Sequence, residues 1–530
     1  LIHPLYPFYN PLPKPLHHPK SKIQNRINLP MVLDIASPTW SSFSVEELDR
    51  FAWTAISTWH LQASVETTYN GLDYAELTRS FLWDKVPRAI RKQVAPERFA
   101  TETTLLQDVP FVPRSTTLFE TLKRPIRPVF DYGRAWRQRI YARRNHLPIL
   151  FIPRAQVHLR RLGQTLVQSS TIALAPSFME SFHYSTGKYK QLQPQLSRSE
   201  AEFARALYTG ILKGLQAFGI ELLDVDQRTL ERQILRQLRY VRVVEAEMKM
   251  SQPKAILVYA DNHHPMQEFV FVAQRDRIPT IMLQHGLDCE HYCLDEAYAD
   301  AIAVWGNARR RRYQEQSTRQ PQQIQVTGNP QYDEFRLPEK LDCTGNYWLW
   351  VTRPHVAEKC QSPSRHVLEG VQILEALLVA LQKLPDARLV IKPHPSEQVD
   401  LYLPLIERYH VSDRVEITRT NVHALLPQAS VVISEDSTAG LEAMFFGKRV
   451  IHAHFASSLP TVSFVESGAA LPGYSPEQLQ ESLTQIDRLT DTEQATLLEG
   501  MRQFLTECVG SLDGQATERV ISFISDIVSK

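Results

Sequence analysis

Two strand-to-turn segments carry the residue types best suited to hold a phosphorylated ligand. In Leu389-Val390-Ile391-Lys392-Pro393-His394-Pro395-Ser396-Glu397, an apolar run delivers a lysine and a histidine into a turn stiffened by two prolines. Lys392 can offset phosphate charge, and His394 can donate to a phosphate or leaving-group oxygen. The prolines reduce the conformational freedom that binding would otherwise remove. An ordinary strand-end turn, with the histidine bonded to its neighbour, is the plain alternative. The second segment, Ser434-Glu435-Asp436-Ser437-Thr438-Ala439-Gly440-Leu441-Glu442-Ala443, lies between an apolar strand and an apolar helix. Ser437 or Thr438 can cap that helix, leaving backbone amides at its start to receive an anion. Glu442 can accept ribose hydroxyls if it faces a cleft, or serve as a helix charge or cap.

Two other turns offer groups for proton transfer or bond making. Ile281-Met282-Leu283-Gln284-His285-Gly286 ends a strand in a polar turn. His285 there can activate an acceptor hydroxyl, contact a donor phosphate, or simply bond nearby backbone. Tyr259-Ala260-Asp261-Asn262-His263-His264 is a similar strand end, with Asp261 available as base or nucleophile, or as a turn-forming aspartate. His263 and His264 would point to opposite faces of an extended chain, which argues against a shared metal. Cys289 and Cys293 have no second cysteine or histidine cluster to complete a zinc site. No metal site is expected.

The elements that must position these groups follow from hydrophobic periodicity. From residue 147 onward, strands at 147–152, 171–174, 255–259, 280–283, 301–304 and 324–326 alternate with helices at 155–168, 200–218, 228–250, 267–273 and 307–315. A second alternating unit has strands at 347–352, 388–392, 414–417, 430–434 and 449–452, and helices at 367–384, 421–426 and 439–446. Further helices are expected at 475–486, 493–507 and 516–529. Such alternation predicts largely parallel sheets covered by crossover helices, with ligands beyond the strand carboxyl ends. The expected division is an accessory region over 1–145, rich in proline near its start, and a first α/β domain over 146–335. A second covers 336–510, and a last helix at 511–530 packs across the first. Within the accessory region, apolar spacing over 44–61 predicts a buried helix, with Ser44 and Glu47 spaced as a capping box.

Composition bounds the partners. At roughly 100–200 residues per domain, 530 residues suggest two to four domains. Lysine plus arginine total 59 against 58 aspartates and glutamates, so charge gives no case for a nucleic-acid partner. The odd count of five cysteines argues against a disulfide-built secreted protein. No apolar run approaches the roughly 20 residues needed to cross a bilayer. The first residues, Leu1-Ile2-His3-Pro4, lack a basic and apolar leader pattern. A cytoplasmic location is expected. The arginine-rich segment 134–144, interleaved with tryptophan and tyrosine, is available for peripheral contact with the inner membrane face, or is a solvated basic helix. The Arg309–Arg312 run reads by default as a solvated helix surface, with recognition of an acidic glycan or membrane phosphate as the alternative. Neither a Gly-x-Gly-x-x-Gly loop nor a Walker phosphate loop occurs, which disfavours nicotinamide enzymes and nucleotide triphosphatases.

In order along the chain, His285-Gly286, Thr327-Gly328-Asn329-Pro330 with Asp333, Lys392–Pro395 and Glu435–Glu442 resemble bacterial capsule and lipopolysaccharide glycosyltransferases of the GT-B class. The pattern spans about residues 250–470, and compatible α/β organisation extends it to 147–500. CMP-Kdo transferases are the preferred relatives, beside bacterial sialyltransferases and teichoic-acid glycerophosphotransferases. The resemblance implies a pair of Rossmann-like domains facing a cleft. His394 and Lys392 would bind donor phosphate, with Ser437 and Thr438 on the phosphate or nearby nucleotide and Glu442 on the ribose. His285 matches the His-Gly position of the glycerophosphotransferase branch, and Asp261 the acidic catalytic position of Kdo or sialyl transferases. The Asp/Glu-Asp/Glu-Gly signature of several sialyltransferases is missing, which places sialic-acid transfer behind Kdo. The implied reaction moves a sugar from a CMP-sugar, CMP-Kdo by preference, to a glycan acceptor, lipid-linked acceptors included. No tightly bound cofactor is implied, and polysaccharide-assembly proteins are conceivable partners. Polyol-phosphate transfer, nucleotide-sugar epimerisation and non-enzymatic glycan binding or assembly are the alternatives.

Overall fold

A computed structural model describes residues 45–94, 96–97, 136–137, 139–153, 162, 165–166, 172–176, 195–262, 264, 266–287, 297–317, 319, 321–353, 367–394, 397, 402–455 and 460–529. The described residues begin with helix α1 (Val45–Ala63), a short hairpin of β1 (Thr68–Tyr69) and β2 (Leu72–Asp73), and helix α2 (Tyr74–Val94). The first large sheet then uses β3 (Ile149–Ile152), β4 (Ala173–Pro176), β5 (Ala255–Val258), β6 (Thr280–Leu283), β7 (Ala301–Val304) and β8 (Gln323–Val326). Between them lie helices α3 (Arg198–Gln216), α4 (Asp224–Ser251), α5 (Met266–Arg275) and α6 (Asn307–Gln316). All strand pairings in this sheet are parallel, in the order β4-β3-β5-β6-β7-β8.

Why these segments form strands is visible in their burial. Ala255-Ile256-Leu257-Val258 is buried at every position, as expected where helices cover both faces of a parallel sheet. Ile256 and Val258 point into a core shared with Ile56 and Trp59 of α1, Leu77 of α2, Leu207 of α3 and Ile234 of α4. Their neighbours Ala255 and Leu257 point the other way, into a core with Val520, Phe523 and Ile524. Those three belong to the last helix, far along the chain. The amino-terminal helices therefore roof one face of the first sheet and the last helix roofs the other.

The second domain contains β9 (Tyr347–Val351), α7 (Val367–Lys383), β10 (Leu389–Lys392), α8 (Leu403–Arg408) and β11 (Val415–Ile417). It continues with α9 (Val422–Leu425), β12 (Ala429–Ser434), α10 (Thr438–Phe445), β13 (Arg449–Ala453), β14 (Leu471–Gly473) and α11 (Pro476–Gln485). Helices α12 (Asp491–Val509) and α13 (Ala516–Val528) end the chain. Its six strands are all parallel, in the order β11-β10-β9-β12-β13-β14. Numbered within the domain this is 3-2-1-4-5-6, the Rossmann order, and the first sheet follows the flavodoxin-like variant that starts 2-1-3. The protein thus has two Rossmann-like α/β domains, paired across a cleft in the manner of the GT-B fold.

The chain crosses between the domains twice. After β8, Asn329 caps a short turn, and Tyr332 and Phe335 pack on Phe445 of α10, with ring centroids 4.9 and 4.8 Å away. The return passes along α12, whose end lies so close to Gly306 that a Cβ there would sit 2.2 Å from the Glu507 carbonyl oxygen. Arg311 of α6 pairs with Glu507 at 2.7 Å across the same contact. Asp333 then caps α13, accepting from the amides of Ala516 at 2.8 Å and Thr517 at 3.2 Å.

Most expected elements recur within a few residues, and α1 occupies the segment read as a buried helix. Ser44 of its expected capping box, the proline-rich start and most of the helix expected at 155–168 lie outside the described residues. The β1–β2 hairpin, α2, α8 and β14 have no counterpart among the elements expected from periodicity. Arg309 departs from the solvated reading: its guanidinium lies 4.6 Å from the Tyr313 ring centre and donates to the Tyr313 hydroxyl at 3.1 Å. No helix among the described residues is long and apolar enough to cross a membrane.

Candidate functional site

Parallel strands send all their carboxyl ends to one edge of a sheet, and the strand order reverses between β9 and β12 in the second domain. That reversal opens a crevice where two loops diverge. Thr352-Arg353 leaves β9 on one side and Glu435-Asp436-Ser437 leaves β12 on the other. A hydrogen bond from Arg353 N to Glu435 Oε1, 3.2 Å long, spans the crevice. Arg353 Nη1 is buried without a hydrogen-bond acceptor among the described residues. A buried guanidinium nitrogen in that state is poised for an anionic oxygen.

Beside it, β10 delivers Lys392 and His394. The turn is organised from below by Glu397, a buried carboxylate that accepts from the Thr352 and Tyr402 hydroxyls and from His394 N. Thr352 Oγ1 also accepts from His394 N at 3.1 Å, and Arg419 holds the Glu397 carbonyl at 2.9 Å. His394 itself stays open to solvent on one side. Its pKa is pushed down to about 4, first by partial burial and then by the positive charges of Arg353 and Lys392. At neutral pH the ring is therefore uncharged and offers one N–H. Burial, then the Arg419 charge, lowers the Lys392 pKa, partly offset by Glu397.

Across the crevice, Ser437 has extended backbone geometry and its hydroxyl accepts from Ala439 N at 3.3 Å, capping α10. Gly440 lets this helix seat closely on its strand. A Cβ there would lie 2.7 Å from Ser434 Oγ and 3.0 Å from Phe464 Cζ. Thr438 faces the other domain, its hydroxyl accepting from Leu287 N at 3.4 Å. Glu442, one turn later, is committed at both oxygens. Oε1 accepts from the Tyr332 hydroxyl at 3.0 Å, and Oε2 lies 2.9 Å from His423 Nε2. The Glu442 hydrogen bond raises the His423 pKa despite partial burial.

In the first domain, Gln284 fixes the His-Gly turn. Its side chain donates to the Gly286 carbonyl at 2.9 Å and accepts from Trp305 N at 2.8 Å, while its carbonyl accepts from the Trp305 indole. His285 is exposed and meets Tyr259 edge to face, with ring centroids 5.4 Å apart. Asp261 lies at the first sheet's own order reversal, but in a different setting. It is 2% exposed, and its Oδ2 accepts from Tyr298 N and Ala299 N, both at 2.8 Å. Burial raises its pKa to about 6, against the lowering influence of those amides and of the Arg309 charge. This carboxylate holds the entry to β7.

The structure thus brings His285, Thr438 and Ser437 to the meeting of the two domains, with Lys392 and His394 on the neighbouring strand end. Asp261 sits deeper in the first domain, and Glu442 is turned toward Tyr332 and His423. Arg353, Glu397 and Gln284 are not among the site residues expected from the sequence. Position directly after the first strand of the second unit was the one available signal for Arg353.

No family model matches the sequence, and no curated protein sequence matches it. Solved structures do share the architecture. S. aureus MnaA with UDP is similar at 13% identity and TM-score 0.46, covering 72% of this chain and 98% of that one. UDP-GlcNAc 2-epimerase from Neisseria meningitidis, bound to UDP-GlcNAc, is similar at 12% identity and TM-score 0.44, covering 71% and 99%. The Methanocaldococcus jannaschii UDP-GlcNAc 2-epimerase with UDP-GlcNAc and UDP is similar at 13% identity and TM-score 0.45, covering 72% and 99%. The expected donor was a CMP-sugar, CMP-Kdo in particular; the nucleotides in these similar structures are instead UDP and UDP-GlcNAc. The shared feature is the pair of α/β domains, which specifies neither the base nor the sugar.

Proposed function

We propose that this chain is a nucleotide-sugar-dependent enzyme that binds a UDP-sugar at the β9–β12 crevice and passes the sugar to a glycan hydroxyl. The observation that carries the reading is the convergence of Arg353, Lys392, His394 and the start of α10 on one crevice at the sheet's order reversal. Together they supply two cations, a neutral imidazole N–H and helix-terminal amides, a donor set matched to a diphosphate. UDP-sugars are the first donors to test because the fold-related structures named above hold UDP or UDP-GlcNAc.

In the proposed reaction the acceptor oxygen bonds to the anomeric carbon as the bond from that carbon to the diphosphate oxygen breaks. Arg353, Lys392 and the α10 amides offset the charge that develops on the departing UDP. His285, exposed beside the crevice, takes the acceptor proton. Asp261 acts by positioning, since its carboxylate is buried on two backbone amides. Glu442 reaches a ribose only by exchanging its bond to His423, the more exposed of its two partners. Lipid-linked glycans are among the acceptors this reading admits.

The deciding experiment incubates the protein with UDP-, CMP- and GDP-sugars, with and without glycan acceptors, and follows products by mass spectrometry. Acceptor-dependent transfer from a UDP-sugar is expected. Conversion of the sugar without an acceptor would replace transfer by epimerisation. Absence of turnover together with no UDP binding would overturn the nucleotide-sugar reading itself.

A further inference from the structure

A second group of side chains lies on the same sheet, on the side of β12 away from the Arg353 crevice. Asp436 follows the end of β12, while His452 lies within β13 and His454 just beyond it. Residues two apart on a strand share a face, so the two imidazoles project to the same side. β12 and β13 are direct neighbours in parallel register, with Ser434 opposite His452. The topology therefore brings one carboxylate and two imidazoles together although 16 residues separate Asp436 from His452.

We propose that Asp436, His452 and His454 form a binding site for a divalent transition metal of the zinc type. One candidate ligand atom from each residue lies within 4.8 Å of the other two. His452 Nε2 is 2.9 Å from Asp436 Oδ1, and His454 Nδ1 is 3.7 Å from Asp436 Oδ2. A tetrahedral ion bound at about 2.0–2.1 Å needs neighbouring ligand atoms roughly 3.4 Å apart. The two separations straddle that value, so small side-chain rotations would admit an ion. Relative exposures of 3%, 0% and 9% for Asp436, His452 and His454 place the site out of bulk water.

Three surroundings favour coordination. Phe464 meets the His452 ring edge to face at 5.1 Å, and Tyr474 packs against both imidazoles, at 5.7 and 6.2 Å. This aromatic wall restricts ring rotation and keeps both imidazoles near one arrangement. The amides of Thr461 and Val462 each donate to Asp436 at 3.3 Å, orienting its carboxylate. His452 Nε2 carries the ring proton toward Asp436 Oδ1, and Nδ1, buried without a hydrogen-bond partner among the described residues, can take that proton when an ion binds at Nε2. Two imidazoles and a carboxylate suit zinc, cobalt or nickel over magnesium or calcium, which prefer oxygen alone. The fourth position is left for water. Bound there, the ion would tie the end of β13 to the turn that enters α10.

The test uses the full chain, dialysed against chelator and titrated with Zn²⁺ by calorimetry and with Co²⁺ by visible absorption. Expected are one equivalent bound per chain, a tetrahedral Co²⁺ spectrum, and a higher Tm with Zn²⁺. X-ray absorption of the zinc-loaded wild type should show two imidazoles, a reading that needs no variant. His454→Ala and Asp436→Ala should each weaken binding by about 100-fold or more, beyond the roughly 10–100-fold usual for a supporting partner. Substitution of the exposed His410 by asparagine should leave binding unchanged. Unchanged affinity in His454→Ala, or absence of stoichiometric binding and of a tetrahedral spectrum in the wild type, would reduce the cluster to a hydrogen-bonded His–Asp pair and overturn the proposal.

Discussion

Thr438 Oγ1, at the first turn of α10, accepts a hydrogen bond from Leu287 N across the interface between the two domains, at 3.4 Å. The start of α10 is thereby coupled to the His-Gly turn of the first domain. Thr438→Val keeps the shape and removes the acceptor. The expected cost is about 0.5–1.5 kcal/mol, the usual net worth of one such bond. Faster amide exchange at residues 284–287 in the variant is the confirming measurement, and an unchanged exchange rate would show that this bond does not hold the turn.

The two glycines flanking this contact should respond differently to alanine. At Gly286 the nearest atom to an added Cβ among the described residues is Thr438 Oγ1 at 3.8 Å, an ordinary contact. At Gly440 the added carbon would meet Ser434 Oγ at 2.7 Å and force α10 off its strand. Gly440→Ala should lower stability by about 1–3 kcal/mol, the range for overpacking a filled core, whereas Gly286→Ala should be near neutral. Urea unfolding of the two variants checks the contrast.

His394 should titrate near pH 4 in the unliganded protein, observable by NMR of its ring protons. Because its folded pKa lies below the ordinary 6.5, the unfolded chain binds more protons between those values. Its contribution therefore strengthens as pH rises from about 4 to 6.5 and fades on acidification. Arg353→Gln removes one of the two charges that depress it and should move the titration upward. Burial, the larger cause, should keep it below the ordinary value.

Asp261 gives the opposite sign. Its folded pKa of about 6 exceeds the ordinary 3.8, so the folded state holds the proton more tightly and this group costs stability as pH rises across that window. Asp261→Asn keeps an oxygen for both amides and should flatten this dependence. Asp261→Ala strands the amides of Tyr298 and Ala299, at a cost of about 3 kcal/mol. Denaturation of both variants at several pH values separates the two effects.

The sheets were readable because parallel strands covered on both faces are written as short apolar runs. Ala255–Val258, Thr280–Leu283 and Ala301–Val304 are buried at every position. The strand ends located His285, Lys392, His394, Ser437 and Thr438 for the same reason. What could not be read depends on contacts between distant segments. Glu397 becomes an organiser only when β9 brings Thr352 beside it, and Arg353 becomes special only once the strand order reverses there. His452 and His454 stand two apart on one strand, but adjacency of β12 and β13 is what brings Asp436 to them. Helix α2 was missed partly because Pro87 lies inside it, a residue that ordinarily breaks helices. The apolar strand β14, Leu471-Pro472-Gly473, is too short and proline-marked to register as one.

Helix α13 completes the far wall of a sheet built hundreds of residues earlier, so the two domains are not separable by a single cut. A nick in the 337–345 connection would leave the carboxyl-terminal fragment still anchored through Val520, Phe523 and Ile524 under β3, β5 and β6. A fragment ending before residue 516, by contrast, would expose those strands on one face. The first sheet is thus unfinished until residues 516–528 arrive, and during synthesis it must wait for the second domain to emerge.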